Sequence, residues 1–281
     1  MPGTLYVVAT PIGNLEDVTL RALRVLREVS VIAAEDTRRT SRLLQHYSIS
    51  TPTTSLHTHN EDAKTPALLA RLRAGESVAL VSDAGTPIVS DPGARLVAAA
   101  HAAGVRVEPV PGPCAAVAAV SAAGIGGEGF LFVGFPPARA AARIEWLSRL
   151  SPERRPVVMY EAPHRIRATL RDMLEAFGDR TVVLGRELTK AHEELVVKPI
   201  SGHLKRIVEG RGEYTLVVSP AHEATLHLEK PSAEILWDEF CQLTDIGSIS
   251  RRGAIKQLAL KYGLSARTVY SLIESARVFG V

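Results

Sequence analysis

Residues 78–87 have the sequence Val78-Ala79-Leu80-Val81-Ser82-Asp83-Ala84-Gly85-Thr86-Pro87. Four consecutive apolar residues are typical of a strand buried on both faces, as in a parallel sheet. The glycine and proline that follow predict a rigid turn, and we expect a helix over 91–103 that ends before Gly104. This strand–loop–helix unit predicts an α/β fold with a ligand-binding loop at the carboxyl end of the strand.

The same alternation of apolar and amphipathic runs extends on both sides of this unit. Strands are expected over 5–9, 29–34, 78–81 and 105–110, and helices over 18–28, 37–46, 62–74, 91–103 and 115–123. Repeated β–α alternation predicts a mainly parallel sheet with right-handed crossovers, in which 5–9 is the central strand. We assign this first α/β domain to residues 1–120.

A second α/β domain is expected over 121–220, after a hinge containing the four glycines between 124 and 129. Its predicted strands are 130–133, 157–160, 181–184, 194–197 and 213–218, and its helices are 140–150, 165–177 and 200–209. Some antiparallel pairing is expected here, which makes the sheet mixed, because the last two strands flank one short helix.

The remaining chain lacks a strand signal. Residues 219–231 are polar and predict a linker, and three amphipathic helices are expected over 235–243, 250–262 and 266–279. We assign residues 232–281 to a small helical unit. Its last two helices resemble a helix-turn-helix, in which Gly263 makes the turn and Ser265 caps the second helix.

Composition restricts the class of protein. The chain has 281 residues, 46% of them hydrophobic and 22% charged, which is ordinary for a folded globular protein. Its two cysteines form no CxxC pair, which favours a reducing cytoplasm. An apolar run of about 18 residues is absent from the sequence, so a membrane span is not expected. The net charge of +3 is only weak evidence for an acidic partner.

Three Gly/Pro-rich loops follow strands of the first domain, at 10–14, 82–93 and 111–114. Since the carboxyl ends of parallel strands meet at one edge of a sheet, we expect these loops to hold a small organic ligand through main-chain groups. A GxGxxG motif after a strand and a GxxxxGK[ST] motif are both missing, which disfavours dinucleotide-dependent dehydrogenases and P-loop NTPases.

Metal binding is not predicted. His57 and His59 are the best candidate ligands, but on an extended segment residues at i and i+2 point to opposite faces. We expect these histidines to contact substrate or to belong to a polar loop.

A second group of polar residues follows strands of both domains. Asp36 lies after the strand 29–34, while Glu161 and Glu187 lie after strands of the second domain. Mixed charges at strand ends suggest the wall of an active site. The alternative is a set of solvated ion pairs between the domains.

Seven motifs together carry a resemblance to a known family. They are Ala-Thr-Pro-Ile-Gly-Asn-Leu (9–15), Ala-Glu-Asp-Thr-Arg (34–38), Ser-Asp-Ala-Gly-Thr-Pro (82–87), Pro-Gly-Pro (111–113), Tyr-Glu-Ala-Pro-His-Arg (160–165), Arg-Glu-Leu-Thr-Lys (186–190) and Gly-Glu-Tyr (212–214). In this order they resemble the ribosomal RNA small subunit methyltransferase I family, which has the tetrapyrrole-methylase fold. The resemblance covers about residues 4–218, and the helical tail is also similar.

The resemblance implies an S-adenosyl-L-methionine-dependent enzyme that methylates the ribose 2′-hydroxyl of a cytidine in the decoding centre of 16S rRNA. It also implies a cofactor bound between two α/β domains, and a homodimer. The cofactor contacts implied by position are Pro11, Asp83, Ala84, Gly85, Ile88, Cys114, Ala115, Tyr160 and Leu188. Cys114 stands where the family usually has serine, and a thiol is the weaker hydrogen-bond donor.

The catalytic and RNA-binding residues are hypotheses of the same kind. A ribose hydroxyl is a weak nucleophile, so a general base is expected among Asp36, Glu161 and Glu187, which the sequence does not rank. Residues 248–281 contain six Lys/Arg and one acid, a composition suited to phosphates. The residues expected to contact small-subunit RNA are Arg38, His57, His59, Arg165, Arg186, Lys190, Arg251, Arg252, Lys256 and Arg267.

Two other functions remain open from the sequence. A methylase of a tetrapyrrole intermediate would have the same fold, but a small macrocycle does not require the basic tail. A non-catalytic regulator could sense S-adenosylmethionine and bind nucleic acid without turnover. The charges at the strand ends near 161 and 187 argue against the regulator.

Overall fold

A computed structural model describes residues 2–125, 128–207, 212–221, 232–245, 249–262 and 264–278. The first sheet contains β1 (Thr4–Val8), β2 (Val31–Ala34), β3 (Thr53–Ser55), β4 (Val78–Val81) and β5 (Arg106–Val110). The strand order is β3-β2-β4-β1-β5, and every pair is parallel. Every residue of β2 and β4 is buried, as expected for strands that have helices on both faces.

The helices of this layer are α1 (Leu20–Glu28), α2 (Thr37–His46), α3 (Glu61–Arg73), α4 (Ala94–Ala102) and α5 (Ala115–Ala123), and a 3-10 turn spans Leu15–Asp17. Asp36 caps α2, accepting a hydrogen bond from the Arg38 amide at 2.9 Å. The buried Glu61 side chain accepts a hydrogen bond from the Arg95 amide at 2.8 Å. A carboxylate from α3 therefore accepts a hydrogen bond from a backbone amide in the first turn of α4, which the helix itself leaves without a partner.

Three expectations for this sheet need correction. The central strand is β4, and β1 lies between β4 and β5. Strand β3 was not predicted because its sequence, Thr53-Thr54-Ser55, has no apolar signal; it is held by pairing with β2. Helix α4 begins at Ala94, later than expected, because Gly93 at its N-cap has a φ of +120°.

The second sheet contains β6 (Leu131–Phe132), β7 (Val157–Glu161), β8 (Thr181–Arg186), β9 (Glu194–Pro199) and β10 (Tyr214–Val218), with α6 (Ala140–Leu150), α7 (Ile166–Phe177) and α8 (Ile200–Arg206). The order is β6-β7-β10-β8-β9. Strand β10 is antiparallel to both β7 and β8, whereas β6 and β7 are parallel, so the predicted mixed sheet is confirmed.

Helix α5 connects the two layers. Its small residues Ala116, Ala119 and Ala123 pack against Val158 and Val217 of the second sheet. Close packing by alanine brings the helix backbone near the sheet. The core of the second sheet therefore includes residues from before 121, and the expected domain limits remain a prediction.

The tail forms α9 (Ala233–Asp245), α10 (Arg251–Tyr262) and α11 (Ala266–Val278). Its core consists of Leu236, Phe240, Ala254, Leu258, Val269 and Ile273. Ser265 accepts a hydrogen bond from the Thr268 amide at 3.0 Å, so it caps α11 as expected, while Gly263 lies outside the described residues. Within the described parts of the chain, none of the helices combines the length and apolar character that crossing a membrane requires.

Candidate active site

A pocket of about 460 Å³ lies where strand ends of the two sheets meet. This volume is within the usual range of small-molecule sites, roughly 300–1,000 Å³. Among the predicted cofactor contacts, Asp83, Ala84, Gly85, Cys114, Ala115 and Tyr160 line the pocket. Pro11, Ile88 and Leu188 are not among its lining residues.

The structure brings the three Gly/Pro-rich loops together. Thr10 and Gly85 exchange two backbone hydrogen bonds, of 2.9 and 3.0 Å, and the Thr86 hydroxyl donates to the Pro113 carbonyl at 3.1 Å. Gly85 has a φ of +83°, and a Cβ atom there would lie 3.3 Å from Ile12. Glycine is therefore required at 85 both by conformation and by close approach.

The backbone after this turn is strained. Ile88 and Ser90 both have a φ of +73°, a region that side chains other than glycine rarely adopt. Such residues cost about 1–3 kcal/mol each and concentrate at functional sites. Ser90 and its neighbour Asp91 both line the pocket.

Three carboxyl groups, from Glu35, Asp83 and Asp91, form an acidic wall of the pocket. Asp83 accepts a hydrogen bond from the Asp36 amide at 2.9 Å, and its carboxylate lies 3.3 Å from the Arg39 guanidinium. Burial, together with the charge of Glu35, raises the pKa of Asp91 to about 7. Burial also raises the pKa of Glu35.

Glu35 and Asp91 were not among the predicted site residues. Glu35 directly follows β2 in the Ala-Glu-Asp-Thr-Arg motif, and Asp91 ends the 82–93 loop. The position of Glu35 directly after a strand was a usable signal, whereas Asp91 lies far along the loop that follows β4. Their titration depends on burial and on mutual distance, which the sequence does not contain.

Tyr160 connects β7 to the start of α5. Its hydroxyl accepts a hydrogen bond from the Ala116 amide at 3.2 Å, while Cys114, at the N-cap of α5, makes no capping bond with its side chain. Tyr160 thus satisfies one of the amides left open at the helix N-terminus. Its ring contacts Phe132 and Phe135, with centroid distances of 4.9 and 5.5 Å.

Two predicted general bases are already engaged in other contacts. The Asp36 carboxylate binds the Arg38 guanidinium through both oxygens, and this pair, with the Arg38 amide, lowers the pKa of Asp36 to about 2. Glu161 lines the pocket, but its side chain has no exposed surface. It accepts hydrogen bonds from the Thr169 hydroxyl at 2.5 Å and the Ala162 amide at 2.8 Å.

The third predicted base, Glu187, lies in a strained turn outside the pocket lining. Glu187 and Thr189 have φ values of +50° and +66°. Burial opposes ionisation of Glu187, but hydrogen bonds from Lys190 and from the Glu213 amide outweigh it and lower the pKa. The Thr189 hydroxyl accepts a hydrogen bond from the Asn14 amide at 3.0 Å, so this turn joins the two layers.

The residues expected to contact RNA occupy varied positions, and those before the tail do not line the pocket. Arg38 is 89% exposed and pairs with Asp36, Lys190 pairs with Glu187, and Arg165 donates to the carbonyls of Pro136 and Pro137. Arg186 ends β8 and is half-buried. A cation that was not predicted, Arg39, lines the pocket and is 62% exposed.

The extended conformation expected for His57 and His59 was wrong, whereas their expected contact with substrate stays a prediction. Residues 58–60 form a turn rather than an extended segment, and the two imidazole centroids lie 6.1 Å apart. Asn60 stabilises this turn by accepting a hydrogen bond from the His57 amide at 2.8 Å. Among the residues described by the structure, no group of three or more His, Cys, Asp or Glu is placed to hold a metal ion.

Of the four tail residues predicted to contact RNA, Arg251 and Lys256 have partners in the fold. Arg251 lies over the Phe240 ring at 5.6 Å, and Lys256 lies 3.6 Å from Glu175 of α7. Arg252 and Arg267 are exposed.

Comparison with solved structures supports the fold. The uroporphyrin-III-C-methyltransferase from Thermus thermophilus superimposes with a TM-score of 0.54 and 23% identity, over 81% of this chain and 97% of that chain. Cobalt precorrin-4 methyltransferase superimposes with a TM-score of 0.59 and 17% identity, over 77% and 94% of the two chains. At these identities the likeness concerns the fold alone.

Comparison with sequences is more specific. The sequence model of a family described as Tetrapyrrole (Corrin/Porphyrin) Methylases matches residues 4–202. Proteins named "Ribosomal RNA small subunit methyltransferase I" match with 54% identity over 71% of both chains in Pseudomonas aeruginosa. In Synechocystis the identity is 44%, over 96% of this chain and 97% of the relative. The chain therefore belongs to the tetrapyrrole methylases and, among them, to the ribosomal RNA small subunit methyltransferase I family, whose members are S-adenosylmethionine-dependent methyltransferases.

Proposed function

We propose that this enzyme transfers a methyl group from S-adenosylmethionine to the ribose 2′-hydroxyl of a cytidine in the decoding centre of 16S rRNA. One observation carries the choice of acceptor: the identity to the Synechocystis relative covers 96% of the chain and so includes the helical tail. A tetrapyrrole methylase does not require such a basic extension.

The chemistry of the pocket fits the cofactor. Ile12, Ala84 and Ala115 offer apolar surface to an adenosyl group, and the acidic wall of Glu35, Asp83 and Asp91 suits a ligand that carries positive charge. Bound S-adenosylmethionine supplies an activated methyl group on a sulfonium centre. Leu188 packs against the same hydrophobic cluster of α5 and the second sheet as the lining residues Cys114 and Tyr160.

The protein's own task is to position and deprotonate the acceptor. Much of the acceleration of a displacement reaction comes from holding the nucleophile in line at near-contact distance. The rigid loops around Gly85 and Pro113 suit that task because hydrogen bonds fix them to each other. Positioning does not remove the proton of the 2′-hydroxyl. A side chain in the pocket is needed to accept that proton as a general base.

We propose Asp91 as the group that accepts this proton. It lines the pocket, it is half-buried, and it follows the strained residue Ser90. Asp36 is a weak base because of its lowered pKa, and the Glu161 carboxylate is occupied by Thr169 and the Ala162 amide. Glu187 lies outside the pocket lining.

Single-turnover methylation distinguishes the four carboxyl groups. We expect Asp91→Asn to reduce the rate by about 10²–10⁴-fold, the usual contribution of general base catalysis. Asp36→Asn, Glu161→Gln and Glu187→Gln should each retain a larger fraction of the rate. A wild-type rate in Asp91→Asn would contradict the assignment to Asp91.

The tail is proposed to bind the small ribosomal subunit. Arg267 and Tyr270 lie three residues apart on α11 and are both exposed, Tyr270 by 54%. Side chains at i and i+3 share a helix face, which combines a cation for phosphate with an aromatic ring for stacking. Arg252 adds a further exposed cation on α10.

The remaining assignments are a cytoplasmic location and a homodimer. Cys114 is a free thiol, which fits a reducing compartment. Leu20 is 87% exposed, and such apolar surface outside the pocket is available to a second copy of the chain. Light scattering of the purified protein tests the dimer.

Methyl transfer to isolated ribosomal subunits tests the main proposal. The purified chain, labelled S-adenosylmethionine and small subunits that lack the modification should yield one methylated cytidine in 16S rRNA. Mapping by mass spectrometry identifies the nucleotide and the ribose position. Transfer to porphyrin precursors but not to subunits would overturn the proposed acceptor.

A further inference from the structure

Phe135 is an exposed aromatic side chain at the rim of the pocket. It lines the pocket, and 53% of its surface is accessible. An exposed phenylalanine beside a binding site is unusual, because burial of such a ring normally stabilises the folded state. Its exposure is therefore better explained by contact with a ligand than by packing within the chain.

The loop that carries Phe135 is held firmly. The Gly134 carbonyl accepts a hydrogen bond from the Tyr160 amide at 3.0 Å. The Arg165 guanidinium donates to the carbonyls of Pro136 and Pro137 at 2.6 and 3.1 Å. Prolines at both following positions restrict the backbone further. The backbone that carries the ring is therefore restrained without a ligand, which reduces the entropy that binding must remove.

Aromatic contacts support one side of the ring. Tyr160 lies 5.5 Å away between centroids, at an angle of 59°, and Phe132 supports Tyr160 in turn at 4.9 Å. On the first-sheet side of the same pocket, Arg39 is an exposed cation. The pocket thus offers a supported aromatic surface and a positive charge, the two features that bind single-stranded nucleotides.

Resting on the proposed function, we propose that Phe135 stacks against the nucleobase of the acceptor nucleotide while Arg39 contacts an adjacent phosphate. Bases outside a helix stack on aromatic side chains in many RNA complexes. Stacking fixes the base, and the glycosidic bond then places the attached ribose over the pocket. The inference assigns recognition of the acceptor to the loop 134–137, which is separate from the Asp83–Gly85 turn.

Substitutions of Phe135 in the full-length enzyme test the inference. Base stacking is worth about 1–3 kcal/mol, so Phe135→Ala should lower kcat/KM for small subunits by about 5- to 150-fold. Phe135→Leu should lower kcat/KM by a similar factor, because leucine keeps the apolar bulk but has no π face. Phe135→Trp should retain the wild-type kcat/KM. The matched control is Val197→Ala, an equally exposed apolar residue away from the pocket, which should leave kcat/KM unchanged.

Two further measurements sharpen the result. The Kd of S-adenosylmethionine, measured by calorimetry without RNA, should stay within about twofold of wild type in each variant. On reconstituted subunits with an abasic residue at the methylated position, wild type and Phe135→Ala should have equal rates.

Four outcomes would overturn the inference. They are unchanged kcat/KM in Phe135→Ala, full activity in Phe135→Leu, an equal loss of cofactor affinity, or a persistent difference on the abasic substrate. A wild-type enzyme that does not methylate subunits would instead remove the proposed function, and the inference with it.

Discussion

Asp91 illustrates how the environment of one residue sets its chemistry. An aspartate in water is ionised at neutral pH, but burial and the nearby charge of Glu35 raise the pKa of Asp91 to about 7. At that value the carboxylate is partly populated at neutral pH and basic enough to receive a proton. The same burial that disfavours its charge makes it suitable as a base.

The pH dependence of the rate should follow from this pKa. Asp91 accepts a proton only when ionised, so kcat/KM for S-adenosylmethionine should rise about tenfold per pH unit below 7 and level above it. Asp91→Asn should remove this inflection. Initial rates across pH 5.5–9 measure both profiles, and an inflection near 7 that persists in Asp91→Asn would assign it to another group.

Protein stability provides a separate test of the same group. In the unfolded chain Asp91 ionises near its ordinary pKa of 3.8, whereas in the folded chain its pKa is about 7. Its cost to folding therefore grows between these values and is complete above pH 7. We expect Asp91→Asn to stabilise the protein by about 1–3 kcal/mol at pH 8, after allowing for partial solvent screening.

Thermal unfolding at two pH values checks this expectation. The Tm of Asp91→Asn should exceed that of wild type at pH 8, and the gain should shrink as the pH falls from 7 towards 4. A gain of equal size at both pH values would mean that titration of Asp91 is not its cause.

The sequence placed some site residues and missed others for a physical reason. Asp83 and Gly85 were predicted because a turn at a strand end has a local signature, and both line the pocket. Glu161 has the same signature, yet its carboxylate is turned to Thr169 on the following helix. Side-chain direction and burial depend on packing between distant segments, so Asp91 could not be recognised before the fold was known.

Between elements, Glu161 joins the end of β7 to helix α7. Its carboxylate accepts hydrogen bonds from the Thr169 hydroxyl of α7 and from the Ala162 amide. The carboxylate also lies 3.3 Å from the Arg165 guanidinium, and the Glu161 side chain has no exposed surface. Glu161→Ala should destabilise the protein by about 3–5 kcal/mol, because it leaves buried partners unpaired. The glutamine of Glu161→Gln can still accept a hydrogen bond from the Ala162 amide and donate one to Thr169. Its loss of stability should therefore be smaller than that of Glu161→Ala.

Urea unfolding of both variants measures the difference, and methylation per folded molecule accompanies it. We expect Glu161→Gln to retain most of the methylation rate per folded molecule, whereas the total activity of Glu161→Ala falls in proportion to its unfolded fraction. A folded Glu161→Gln enzyme without activity would return Glu161 to the role of general base.

The boundaries of a helix were predictable where a local start or stop signal exists. Ser265 caps α11 and Gly104, with a φ of +67°, follows the end of α4, and both effects are local to a few residues. The order β3-β2-β4-β1-β5 and the strand Thr53–Ser55 were not predicted. Strand order results from which apolar surfaces pack together across the chain, and a polar edge strand needs only backbone pairing.

For the whole molecule, three contacts among the described residues illustrate how the two sheets and the tail are joined. The Thr189 hydroxyl accepts a hydrogen bond from the Asn14 amide, and the alanines of α5 pack on the second sheet. In the tail, Lys256 forms an ion pair with Glu175. The first two contacts involve Asn14 and Ala116, which lie within two residues of the pocket-lining Ile12 and Ala115, whereas the third is made by α7, outside the pocket lining. Changes in the tail should therefore alter binding of the acceptor without altering binding of the cofactor.

The triple variant Arg252→Ala/Arg267→Ala/Tyr270→Ala tests this separation. Each cation that contacts a phosphate contributes about 0.7–0.9 to the slope of log K against log salt, so loss of two should reduce the slope for subunit binding by about 1.4–1.8. The Kd of S-adenosylmethionine should not change, since none of the three residues lines the pocket. Filter binding across a salt series measures the slope, with Lys205→Ala, an exposed cation on α8, as the matched control. An unchanged slope would mean that the tail stabilises the fold rather than binding RNA.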